Sequence, residues 1–85
     1  MNTIVVDVRE PYEFASGHYP GAINLPPAEI MAGAKKLENI PKDTKMILYC
    51  KSGARSNVAK VHLARLGFTN LVNGINKDHV PRFLK

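Results

Sequence analysis

Two short segments of this chain, residues 3–9 ("TIVVDVR") and 44–50 ("TKMILYC"), are apolar at most of their positions. Strands with one solvated face alternate apolar and polar residues, whereas nearly unbroken apolar runs are typical of strands buried on both faces. The sequence therefore predicts an α/β fold, a small parallel sheet with helices on both faces. Because 85 residues, 45% of them hydrophobic, allow one modest core, we expect a single domain over residues 1–85.

Helix and turn signals connect these two segments. Pro11 ends the first strand, and the short helix that follows it ends at Gly17. A brief extended piece over residues 22–25 precedes a second helix, which is predicted to begin at Pro27 and to end before Pro41. That helix has an apolar stripe formed by Ile30, Ala34 and Leu37.

The pattern after the second strand is helical from residue 54 to residue 66, with Gly67 placed as its C-terminal cap. The apolar arc of this helix is formed by Val58, Ala59, Leu63 and Leu66. Residues 69–73 predict a third strand. Residues 76–85 predict a last short helix, with Asn76 as its cap and Pro81 interrupting it.

The charge pattern favours small anionic ligands over macromolecular ones. Twelve Lys and Arg residues against seven Asp and Glu residues give a net charge of +5, which attracts anions. The basic residues form no dense run and no aromatic stacking surface accompanies them, so we expect no nucleic acid as a partner. No apolar run approaches the roughly 18 residues of a membrane span, so we expect no membrane as a partner either.

The N-terminus shows no signal-peptide pattern. A single cysteine excludes an internal disulfide framework and fits a reducing compartment. We therefore expect a cytoplasmic protein, with the periplasm as the alternative if a leader peptide was removed.

The one cysteine, Cys50, ends a predicted strand in front of a predicted helix. Ligands of open α/β sheets bind at such carboxyl ends of strands. The helix dipole, the converging N–H groups of the turn and the charges of Lys51 and Arg55 would all favour a thiolate there. Gly53 supplies the backbone freedom that such a turn needs, and the hydroxyls of Ser52 and Ser56 can donate to the same centre or cap the helix.

Two other interpretations of Cys50 compete with a nucleophile. Free cysteines are usually buried and act as small hydrophobes, although such a residue has no need of the polar "KSGARS" behind it. A metal site requires about four ligands, and the three histidines, His18, His62 and His79, have no ligand spacing relative to Cys50. We therefore expect no metal and no cofactor, and we interpret His62 as a core histidine on the apolar arc of its helix.

Two separated motifs resemble the rhodanese (sulfurtransferase) family. The segment "DVREPYEFASGHYPGAINLP", residues 7–26, is similar to that family's first motif, and "YCKSGARS", residues 49–56, is similar to its catalytic cysteine loop. The segment "LGFTNLVNG" resembles the part that follows the active-site helix in single-domain members. The resemblance covers essentially the whole chain, is greatest to the small phage-shock-type rhodaneses, and implies a three-layer α/β sandwich.

The resemblance implies a sulfurtransferase that works through a persulfide of Cys50. The sulfane sulfur would come from thiosulfate or a similar small anionic donor and pass to cyanide, a cellular thiol or a protein acceptor. Lys51 and Arg55 would hold the donor. The substrate-binding loop would consist of Lys51, Ser52, Gly53, Ala54, Arg55 and Ser56.

Alternative functions follow from the same loop. A sulfur-carrier or redox-signalling interaction domain would keep the fold and the thiol without turnover. The related phosphatases and arsenate reductases place a histidine before the cysteine and five residues between it and the arginine. Here Tyr49 precedes Cys50 and four residues separate Cys50 from Arg55, which favours sulfur transfer.

The first motif is interpreted as mainly structural. Asp7 and Arg9 are assigned a supporting role on the active-site face, and Glu13 is expected to form an ion pair with Arg9. The chain departs from the family at its end, where Gly74 stands alone instead of in a glycine pair and no tryptophan is present.

Overall fold

The structure, a computed structural model, describes residues 3–84. Four strands alternate with three α-helices and two 3-10 turns. The strands are β1 (Thr3–Asp7), β2 (Ile23–Asn24), β3 (Lys45–Cys50) and β4 (Leu71–Asn76). The helices are α1 (Pro11–Ser16), α2 (Pro27–Met31) and α3 (Ala54–Arg65), and the 3-10 turns are Lys35–Leu37 and Val80–Phe83. All strand pairs are parallel, in the order β2-β1-β3-β4, so the predicted α/β architecture is confirmed.

The two central strands are buried on both faces, as their continuous apolar sequence predicts. One face packs against α2, the first 3-10 turn and α3, and its buried residues include Val6, Val8, Met46, Leu48 and Cys50. The other face packs against Phe14 of α1 and against the C-terminal 3-10 turn, and its buried residues include Val5, Ile47, Tyr49 and Val80. Helical layers on both sides of the sheet make a three-layer sandwich.

The second helix is shorter than its apolar stripe predicts. Helix α2 ends at Met31, Gly33 and Ala34 take positive φ values of 109° and 53°, and a separate 3-10 turn follows. Ile30, Ala34 and Leu37 are nevertheless all buried. The stripe therefore predicted correctly which side chains enter the core, but not the backbone that brings them there.

The C-terminal part differs more from prediction. Strand β4 covers Leu71–Asn76 rather than residues 69–73, and its register against β3 shifts between Leu48 and Tyr49, where Ile75 has a φ of 70°. The predicted last helix is only a 3-10 turn, Val80–Phe83, and the final residue of that prediction, residue 85, lies outside the described range. Asn76 does accept hydrogen bonds from the N–H groups of Asp78 and His79, as a cap would.

Helix α3 matches its predicted span to within one residue, but its apolar arc is only half buried. Ala59 and Leu63 are in the core, whereas Val58 and Leu66 are 55% and 38% exposed. Across the described range of residues 3–84, no helix has both the length and the apolar character that a membrane crossing requires.

Candidate active site

Cys50 is the last residue of β3, and the turn behind it folds back over its sulfur. The N–H groups of Gly53 and Ser56 donate to Sγ at 3.0 and 3.4 Å, and the Ser56 hydroxyl oxygen is 3.5 Å from it. Gly53 makes this possible because its φ of 97° turns the chain into α3, a conformation that strains residues with a side chain. Cys50 is 2% exposed, so these donors act in a largely desolvated site.

The thiol of Cys50 is more acidic than an ordinary cysteine. Burial raises its pKa, but hydrogen bonds from the Ser56 hydroxyl and from the N–H groups of Ser56, Ser52 and Gly53 outweigh burial and lower the pKa to about 7. A large fraction of thiolate is therefore present near neutral pH, and the thiolate is the nucleophilic form.

The predicted loop residues divide into an inner and an outer set. Gly53 and Ser56 are buried against the sulfur, whereas Lys51, Ser52 and Ala54 are exposed to solvent. Ser56 also contacts β4, because its hydroxyl lies 2.6 Å from the side-chain oxygen of Asn73. Asn73 was not predicted as a site residue from the sequence, since it lies 17 residues beyond Ser56 and outside both the first motif and the cysteine loop.

The guanidinium of Arg55 is paired with a carboxylate. Its two terminal nitrogens donate to the carboxylate oxygens of Glu13 at 2.7 and 3.1 Å. Arg55 and the N–H of Glu10 lower the pKa of Glu13 to about 2. The predicted ion pair between Glu13 and Arg9 is therefore wrong, because Glu13 pairs with α3 instead.

Arg9 pairs with Asp7, at the carboxyl end of β1. Arg9 Nη2 donates to Asp7 Oδ2 at 2.6 Å and to the Gly17 carbonyl at 2.7 Å. Asp7 is fully buried and also accepts from the Tyr49 hydroxyl at 3.0 Å, while Tyr49 accepts from the N–H of Tyr19 at 2.9 Å. This network fixes the first motif to β3, the strand that ends in Cys50, and Arg9 lines the same cleft as Cys50.

An open cleft of about 580 Å³ contains Cys50 in its lining. Two exposed lysines, Lys51 and Lys77, and the paired Arg9 contribute positive charge to it, and Glu13 and Asp78 contribute negative charge. The remaining lining residues are Tyr12, Ser16, Tyr49 and Asn76. Lys77 was missed by sequence reasoning, because only the fold brings the end of β4 beside the Cys50 loop.

A second, apolar groove of about 380 Å³ lies between α2 and α3. Its lining includes Ile30, Met31, Val58 and the half-buried His62, but not Cys50. The prediction that His62 is a core histidine is therefore wrong, since its ring borders this groove. Within residues 3–84, no three His, Cys, Asp or Glu side chains lie close enough together to hold a metal ion.

Comparison with known proteins agrees with this geometry. The sequence profile of the Rhodanese-like domain family matches residues 1–77. A protein of Allochromatium vinosum named as a sulfurtransferase is 38% identical over 72 residues, which are 85% of this chain. The chain spans 64% of that relative's length.

Solved structures give the same relationship. An Escherichia coli structure described as a rhodanese with anions has a TM-score of 0.80 and 28% identity, and the match covers 92% of this chain and 91% of that one. A rhodanese-related protein of Thermoplasma volcanium has a TM-score of 0.74 and 30% identity, over 94% of this chain and 78% of that one.

Proposed function

The chain belongs to the rhodanese-like domain family, and from that premise we propose that it is a sulfurtransferase of the thiosulfate sulfurtransferase type that carries sulfur as a persulfide on Cys50. The observation that supports this proposal most strongly is the environment of the Cys50 sulfur. The sulfur is buried, it accepts hydrogen bonds from the N–H groups of Gly53 and Ser56, and Cys50 lines a cleft to which Lys51 and Lys77 contribute positive charge. Such a centre stabilises a sulfur anion.

The first half-reaction is attack of the Cys50 thiolate on the outer sulfur of thiosulfate. A bond forms between Sγ and that sulfur, the bond between the two donor sulfurs breaks, and sulfite leaves with the electron pair. The negative charge of the thiolate and the dianionic donor is then shared between the sulfite dianion and the persulfide anion. The loop from Lys51 to Ser56 would hold that anion through its backbone N–H groups.

The second half-reaction returns the enzyme to its starting state. A nucleophile attacks the outer sulfur of the persulfide, and the bond between that sulfur and Sγ breaks with its electrons returning to Cys50. With cyanide the product is thiocyanate, and with a thiolate it is a new persulfide. The acceptor in the cell is proposed to be a small thiol or a protein thiol, and the compartment the cytoplasm, where such thiols stay reduced.

Donor binding is assigned mainly to Lys51 and Lys77. Both are exposed in the lining of the Cys50 cleft, so their charges are available to an entering anion. Arg55, which the sequence assigned to this role beside Lys51, already shares its guanidinium with Glu13. Its proposed contribution is to hold α1 against the start of α3 and so to keep the cleft in shape.

Steady-state kinetics tests the proposal. Thiocyanate formation is measured while thiosulfate and cyanide are varied together, and a persulfide enzyme gives parallel double-reciprocal lines because the two substrates never bind together. Cys50→Ala is the control, and a generic aryl phosphate tests the phosphatase alternative. Sulfur uptake without turnover would favour a sulfur carrier, and phosphate release that depends on Cys50 would overturn the proposal.

A further inference from the structure

The side-chain amide of Asn73 has its orientation fixed by two backbone groups. The N–H of Ile75 lies 3.0 Å from Oδ1, and the carbonyl of Gly53 lies 3.0 Å from Nδ2. Rotation of the amide by half a turn would place donor against donor and acceptor against acceptor, so only one orientation satisfies both partners. Asn73 therefore presents an acceptor oxygen to the Ser56 hydroxyl.

The Ser56 hydroxyl has one proton and three neighbours that accept it. They are Asn73 Oδ1 at 2.6 Å, the Gly53 carbonyl at 3.2 Å and Cys50 Sγ at 3.5 Å. The Asn73 contact is much the shortest, and two oxygens at 2.6 Å repel each other unless a proton lies between them. When Cys50 is a thiol, the Ser56 proton lies towards Asn73, and a lone pair of Ser56 Oγ faces the sulfur and accepts its S–H.

We infer that the Ser56 hydroxyl is a two-position donor, directed to Asn73 when Cys50 is a thiol and to Sγ when it is a thiolate. On ionisation the thiol proton leaves to solvent, while Ser56 keeps its own proton and rotates about its Cβ–Oγ bond. Asn73 then loses a short hydrogen bond and keeps the one from Ile75. Asn73 is thus a positioning residue that limits how strongly Ser56 stabilises the thiolate.

This inference deepens the proposed function, since it concerns the reactive form of the same sulfur. A thiol that both attacks and leaves works best with a pKa near the ambient pH, because a more acidic thiolate is a weaker nucleophile. Asn73 would keep Cys50 in that range by competing for the hydroxyl proton. The N–H groups of Gly53 and Ser56 cannot be redirected in this way, because the backbone fixes them.

Other charged groups lie around the cleft that Cys50 lines, and they take no part in this coupling. They come from the segment after β1, from α1, the loop, α3 and the segment after β4, and they are Arg9, Glu13, Lys51, Arg55, Lys77 and Asp78. Asp7 is buried beside Tyr49, and His62 and His79 lie outside the lining of the cleft. Their effects persist whether or not Ser56 has a hydroxyl, so a double-mutant cycle separates them from the effect of Asn73.

The test is the pH dependence of Cys50 alkylation by iodoacetamide, which needs no sulfur donor and reports on one site because the chain has one cysteine. Ser56→Ala is introduced into three backgrounds: wild type, Asn73→Ala and Asn73→Asp. We expect Ser56→Ala to raise the midpoint of the alkylation profile most in the Asn73→Ala background, by about one pH unit, because the hydroxyl is then free for the thiolate. The rise should be intermediate in wild type and smallest with Asn73→Asp, whose carboxylate holds the proton more firmly.

The loss of the bond to the Gly53 carbonyl is common to both Asn73 variants, so it does not create this order. Asn70→Ala is the matched control, because the side chain of Asn70 makes a long 3.4 Å bond to the Asp43 carbonyl, away from Cys50, and its removal should leave the midpoint unchanged. Equal rises in the three backgrounds, or the reverse order, would overturn the inference. Since no sulfur is transferred in this assay, failure of persulfide formation would leave its result intact.

Discussion

The sulfur of Cys50 and the guanidinium of Arg55 lie five residues apart on one loop, but their surroundings differ. The sulfur is buried and meets hydrogen-bond donors of Gly53 and Ser56, with no opposite full charge bonded to it. The guanidinium is 37% exposed in its side chain and is neutralised by the carboxylate of Glu13. The guanidinium of Arg9 is likewise paired with a carboxylate, that of Asp7.

This contrast separates two tasks within one cleft. Backbone dipoles aimed at a buried atom stabilise a negative charge on that atom, and they need no rearrangement when the charge forms. Charges that are already paired give little to an incoming anion, because their partners must be displaced first. In the proposed mechanism the loop would hold the reacting sulfur, the paired arginines would support the walls of the cleft, and Lys51 and Lys77, which form no ion pair within residues 3–84, would attract a donor.

The largest effect should follow from changing the sulfur itself. Cys50→Ser should reduce sulfur transfer below detection, because an alcohol at this position is not ionised near neutral pH and forms no persulfide. Circular dichroism and thermal unfolding should show a folded protein, since serine is smaller than cysteine and Ser56 remains beside it. Full thiocyanate formation by this variant would place the chemistry elsewhere.

The next effect concerns the loop conformation. Gly53→Ala should lower the free energy of unfolding by about 1 kcal/mol and slow sulfur uptake at least about tenfold, because φ must shift and the N–H donors turn away from Sγ. Gly21→Ala is the matched control, with a φ of 86° and no atom within 4 Å of the added Cβ. It should lose similar stability and keep its uptake rate. Equal loss of rate in both variants would mean that stability, not donor geometry, controls reactivity.

A smaller effect should distinguish free lysines from paired arginines. Lys51→Ala and Lys77→Ala should each raise the KM for thiosulfate by about threefold with little change in kcat, as expected for exposed charge contacts. Lys60→Ala, on the exposed side of α3, serves as the control for net charge. If Arg55→Ala raised the KM for thiosulfate more than Lys51→Ala or Lys77→Ala did, Arg55 and not the lysines would be the main donor-binding residue.

The smallest effect concerns the Glu13–Arg55 wall. Glu13 has a folded-state pKa of about 2 against an ordinary 4.5, so its pairing stabilises the fold above pH 4.5 and is lost as the pH falls towards 2. Glu13→Gln should cost less than about 1 kcal/mol at neutral pH and should make unfolding less dependent on pH between 4.5 and 2. Chemical denaturation across this range checks it. An unchanged pH dependence would mean that the pair contributes nothing to stability.

Local patterns predicted the sheet and the helix that follows Cys50 well. The apolar runs of β1 and β3 and the span of α3 are properties of consecutive residues. The burial of the two strands confirms their apolar runs, and α3 covers its predicted span although only half of its apolar arc is buried. The positive φ of Gly53 likewise follows from the need of a tight turn at that place. These features depend on segments of a dozen residues or fewer, which a sequence displays directly.

Contacts between distant segments could not be predicted in the same way. Arg55 and Glu13 are 42 residues apart, and Asn73 contacts the loop from β4, next to the place where the register between β3 and β4 shifts. The break of the second helix at Gly33 and Ala34 could not be predicted, because the apolar stripe is also consistent with an uninterrupted helix. In each case the sequence allowed several arrangements, and contacts between distant segments determine which of them forms.

The most direct test of the central claim is the intact mass of the reduced protein before and after thiosulfate, and again after cyanide. The account predicts a gain of one sulfur, about 32 Da, that maps to the peptide containing Cys50 and is lost to cyanide as thiocyanate. No gain with thiosulfate or with any other sulfane-sulfur donor, in a protein whose Cys50 still reacts with iodoacetamide, would contradict it.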